Sequence, residues 1–140
     1  MSLFNRFFEE QGAKVTPREC FAIIMIALKA QESDVFGDRE IQEVAILTGL
    51  DADTISDAAN AFDKTNNNLI SIIEVANTGL DNKQKICLVL NALDVISSDG
   101  FINNDEKALF NKIVDGLEIE LDKIEIFADA ILLKNNRSIF

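Results

Sequence analysis

Five times in 140 residues the chain spells the start of an α-helix. Thr16-Pro17-Arg18-Glu19 supplies a cap, a proline at the first helical position, and a glutamate placed to bond back to the cap. Gly37-x-x-Glu40, Ser71-x-x-Glu74, Asp81-x-x-Gln84 and Asn103-x-x-Glu106 repeat that grammar. Helix ends are marked too, by Gly49, Gly79, Gly100 and Gly116, each near the close of an apolar-periodic run. Starts and stops this close together permit only short helices with short connections, which pack as antiparallel neighbours. The spacing predicts helices over roughly 2–11, 17–31, 38–48, 52–62, 71–78, 82–97, 104–115 and 120–134. The expected fold is therefore all-α, a compact bundle of seven to eight short helices, with residues 1–140 forming one domain.

Composition narrows the function. Apolar residues make up 48% of the chain, enough for a genuine core. The net charge of −11 argues against nucleic acid, whose phosphates need clustered Lys and Arg, and against anionic lipid. Cations and proteins with basic patches remain natural partners. The absence of histidine excludes Ser-His-Asp and Cys-His mechanisms and, with only two cysteines, sets aside a conventional zinc site. Cys20 and Cys87 are no CxxC pair; each lies in an apolar helical run and reads as a small core residue.

The longest apolar run, Phe21 to Leu28, is broken by Lys29 and falls far short of the roughly 20 residues of a membrane span. The N-terminus MSLFNRFFEE lacks the features of a signal peptide, so a cytoplasmic location is expected. Leu3, Phe4, Phe7 and Phe8 share one helical face. Glu9 and Glu10 follow at once, which favours packing across the bundle over a membrane surface.

The chain also repeats itself. Aligning Glu40 with Glu106 places Phe36 on Ile102 and Asp38 on Asn104, and a one-residue slip brings Gly49-Leu50 onto Gly116-Leu117. The two copies, roughly 16–62 and 81–133, each form a helix-turn-helix half. The first has Ser33-Asp34 where the second has Asp99-Gly100.

These residues resemble the TerB-like family, named for a tellurite-resistance protein. The strongest match is DVISSDGFINNDEKALFNKIVDGLEIE, residues 94–120, with Asp99-Gly100, Ile102 and Glu106. LDADTISDAANAFDKTNNNLISIIEVANTGLDNKQK and the two-copy organisation support it, and the likeness spans roughly residues 15–133. The resemblance implies a pseudo-twofold helical bundle, acidic residues proposed to bind divalent metal, a link to tellurite and chemical stress, and association with DnaJ modules. The first copy departs from the pattern by lacking the Asp-Gly pair.

Candidate ligands for a divalent cation (calcium, magnesium or manganese) are Asp94, Asp99 and Glu106 at the second corner, with Asp34 and Glu40 at the first. Hard cations need several oxygens at once, so these carboxylates must converge. The bland reading of the same letters is a capping box from Asn103 and Glu106, with acids favoured at a helix start. A second candidate is an EF-hand-like loop from Asp63 to Glu74, with Asp63, Thr65, Asn67, Ser71 and Glu74 at ligand positions and Asn68 where glycine belongs. Only Asp63 and Glu74 are charged, so its affinity would be weak, and an Asn-rich turn before a capped helix explains it equally.

Tellurite is an anion that an acidic surface repels. The expected function is a non-catalytic binding module, sensing a divalent cation or serving an unidentified protein partner as scaffold or chaperone adaptor. Paired carboxylates can do acid-base work, yet no nucleophile, cofactor motif or phosphate loop accompanies them.

Overall fold

The computed structural model describes residues 17–30, 37–64, 69–98 and 100–140. Among the described residues seven α-helices follow in order: α1 Pro17–Ala30, α2 Asp38–Thr48, α3 Ala52–Lys64, α4 Leu69–Gly79, α5 Asn82–Ser97, α6 Asn104–Gly116 and α7 Leu121–Asn135. A single 3-10 turn, Arg137–Ile139, closes the chain, and no strand occurs among the described residues. The expected helix over 2–11 lies outside the described residues, as does the Thr16 cap.

The middle of α1 is buried on every side. Ala22, Ile23, Ile24, Met25, Ile26, Ala27, Leu28 and Lys29 are all buried in an unbroken run. A helix apolar all round belongs in the centre of a fold, and α1 accordingly meets α2, α3, α4, α5 and α6. The first helix of each copy touches the second helix of the other: α1 meets α6, and α5 meets α2. Two similar halves packed about an approximate twofold would make the same reciprocal contacts. Helix α7 packs chiefly on α5.

The capping grammar holds in detail. At α5, Asp81 Oδ1 accepts the Gln84 N–H at 2.8 Å and Gln84 returns an acceptor to the Asp81 N–H at 3.0 Å. At α2 the cap is a glycine, so only the return bond exists, from Gly37 N–H to Glu40 at 3.2 Å. Gly49 ends α2 in the left-handed region at φ 74, its N–H bonded to Ala45 O at 2.9 Å.

Two expectations need correction. Ser71 does not cap α4, because the helix begins two residues earlier at Leu69. Cys87 is exposed while Cys20 is buried. The core face of α5 carries Leu88, Val89, Ala92, Leu93, Val95 and Ile96, which leaves Cys87 at its edge. The terminal 3-10 turn is held locally, by the Ser138 N–H bonded to Asn136 Oδ1 at 3.2 Å.

Helices α4 and α6 approach closely at Gly116, where a Cβ would overlap Ile73 Cγ2 and lie 3.5 Å from Ile73 Cβ. Ile73 is buried and β-branched, so it has little freedom to turn aside. Gly116→Ala should destabilise the fold by about 1–3 kcal/mol in urea unfolding. Gly79→Ala, with nothing within 4 Å of its Cβ, should stay within about 1 kcal/mol of the parent.

Candidate functional site

The two corners are built from the same device. Asn103 caps α6: its Oδ1 accepts the Glu106 N–H at 2.8 Å, and a Glu106 carboxylate oxygen accepts the Asn103 N–H at 3.0 Å. Glu106 is only 1% exposed, whereas its counterpart Glu40 is half-buried and bonded to Gly37. Both glutamates therefore satisfy backbone donors at a helix start, where a negative charge also suits the helix dipole.

Asp94 serves a different purpose. Its side chain is 17% exposed, and it accepts from Lys134 Nζ at 3.1 Å and from Asn135 Nδ2 at 2.9 Å. Asn135 is buried and also donates to Ser97 Oγ at 2.8 Å, while Ser97 donates to Leu93 O at 2.6 Å. Arg137 adds a bond to Ser98 O at 3.0 Å. Together these groups tie the end of α7 to the end of α5.

Asp34 and Asp99 lie outside the described residues. Among the described residues no three His, Cys, Asp or Glu side chains gather as a metal-holding group. Of the five candidate ligands the structure thus places Glu40 and Glu106 in caps and Asp94 in an interhelix tie.

The EF-hand-like alternative meets a geometric obstacle. Asn67 lies outside the described residues, but Lys64 and Leu69 are both helical. The stretch from Asp63 to Glu74 would have to be mostly non-helical to wrap a calcium ion. Here Asp63 lies in α3 and Glu74 lies exposed in the second turn of α4.

Sequence reasoning missed the ion pair of the first corner. Lys29 Nζ lies 2.7 Å from Glu43 Oε2, and Arg39 Nε lies 3.2 Å from Glu43 Oε1. Lys29 is the charged end of the buried run in α1, so its ammonium needs a partner, and α2 provides one. The hydrogen bond from Lys29 holds the Glu43 carboxyl below its ordinary value, outweighing the opposing effect of burial. A lone lysine after an apolar run was the available signal. Asn135 gave none, because its partners are about forty residues away.

Two surface features remain. A groove of about 440 Å³ between α1 and α5 is lined by Pro17, Phe21, Leu80, Cys87 and Leu88. On α7, Ile126 and Leu133 are 79% and 62% exposed, with Phe127 also outside the core. Burial pushes the Cys20 thiol up to about 12, which makes it inert beside the exposed Cys87.

Comparison with family models, with curated proteins and with solved structures finds no match for this chain. Among the described residues no helix is long and apolar enough to cross a membrane.

The Lys29–Glu43 pair predicts a specific acid response. A carboxyl held low in the folded state adds stability that is complete above the ordinary glutamate value of 4.5 and is lost as pH falls through the lowered one. Lys29→Met should remove that part of the pH dependence. Thermal melting at neutral pH and near pH ~3 should show a smaller drop in the variant than in the parent.

Proposed function

We propose that this chain is a non-catalytic, TerB-like binding module whose working surface is the outward side of α7. One observation carries the reading: Ile126 and Leu133, at 79% and 62% exposed, stand on the same side of a helix anchored to the bundle by its opposite side. Large apolar side chains grouped in water mark interaction sites more often than chance exposure. The buried side of α7, through Ile124, Ala128, Ile131 and Asn135, fixes its orientation, so the outward side is presented rigidly. A scaffold or adaptor role follows naturally from such a surface. The stress-resistance association implied by the sequence resemblance would then run through a protein partner.

The test uses the full chain and an Ile126→Ser/Leu133→Ser variant as paired baits, with melting checked first. A partner held through this surface should bind about thirtyfold more weakly to the variant, the effect of losing about 2 kcal/mol from a docking centre. Partners retained equally by both proteins would overturn the assignment.

The acidic corners support a second reading, a divalent cation held near Glu106. This residue is 1% exposed, and buried charges occur where they are paired or bind metal. Thermal shift and calorimetry with calcium, magnesium and manganese decide this reading. A rise in melting temperature that Glu106→Gln abolishes would support it, and no shift at millimolar metal would end it.

A further inference from the structure

The outward side of α7 has a charge pattern as well as an apolar stripe. With 3.6 residues per turn, Ile126, Ala130 and Leu133 align along the exposed side at spacings of four and three. Asp122, Glu125 and Asp129 run along one edge of that stripe, and Lys123 and Lys134 along the other. All five charged residues are exposed.

The two edges are not equivalent. Lys134 is drawn to Asp94 at 3.1 Å, and Lys123 lies 3.6 Å from Glu120. Among the described residues no ion pair reaches Asp122, Glu125 or Asp129. The lysines are thus partly neutralised within the chain and the acids are not. The field over the stripe is negative, and the net charge of −11 reinforces it.

We propose that the α7 surface receives a basic amphipathic helix, one whose apolar stripe is bordered by Lys or Arg; this rests on the reading of α7 as the working surface. Such a partner lays its apolar residues between Ile126 and Leu133, and its cations meet Asp122, Glu125 and Asp129. A second copy of this chain fits less well. In an antiparallel twofold pair each acidic edge faces its own equivalent and like charges repel; in a parallel pair the acids meet only Lys123 and Lys134, which already lie near Glu120 and Asp94.

The test uses two synthetic helical peptides with the same Leu stripe, one with Lys and one with Glu at the flanking positions. The full chain should bind the Lys peptide at least about tenfold more tightly than the Glu peptide, and added salt should narrow that gap. Ile126→Ser/Leu133→Ser should weaken Lys-peptide binding roughly thirtyfold. Asp122→Asn/Glu125→Gln/Asp129→Asn should leave the apolar contribution and flatten the salt dependence. Equal binding of the Lys peptide to the parent and the Ser variant would mean capture by general acidity, and would overturn the proposal. Preference for the Glu peptide, with sensitivity to the Ser substitutions, would sink the partner chemistry while leaving α7 as the docking surface. Concentration-dependent dimerisation through the same residues would assign the surface to a second copy and likewise overturn it.

Discussion

The burial of the middle of α1 on every side organises everything else. An isolated helix of fourteen residues is marginal in water, so α1 depends on its neighbours, and they depend on the apolar surface it offers. Residues Ile23 to Leu28 point in every direction around the axis, and each direction must be covered by a different helix. The bundle is therefore a shell assembled about one rod. Lys29 is where that rod changes character, and its pairing with Glu43 lets the charged end remain buried. The pair contributes modestly to net stability, because Lys29 is withdrawn from water while Glu43 stays partly in it, where solvent screens the attraction. It does fix how α2 meets α1.

The acidic corners show how one set of letters can serve architecture. The repeated Glu in each copy closes a backbone gap at a helix start. The copies differ in depth: Glu106 is enclosed, while Glu40 is half-exposed behind a glycine cap. The two corners share the glutamate's return bond and differ in the cap residue and its surroundings.

The helices themselves were largely legible. Cap residues and glycine stops are local chemistry, so the ends of α2, α5 and α6 fall within a residue of where the letters place them. Ser71 has a cap-like spacing, yet α4 begins at Leu69, and nothing in the structure explains the earlier start. The other error depended on distant contacts. Cys87 sits in an apolar run, yet its direction is set by which side of α5 meets α1 and α7. The candidate site was less legible still. Asp94 was visible as an acid at a corner, but nothing near it announces Lys134 or Asn135 as its partners. Asp34 and Asp99, the other halves of the proposed ion site, lie outside the described residues.

The attachment of α7 has a dynamic consequence. Its tertiary packing rests chiefly on one helix, α5, and a polar cluster of Asp94, Asn135, Ser97 and Lys134 locks its far end. A segment joined to the rest along one seam can open without melting the centre. Hydrogen exchange in α7 is then governed by that seam and that polar latch, while exchange in α1 waits for the whole molecule to unfold.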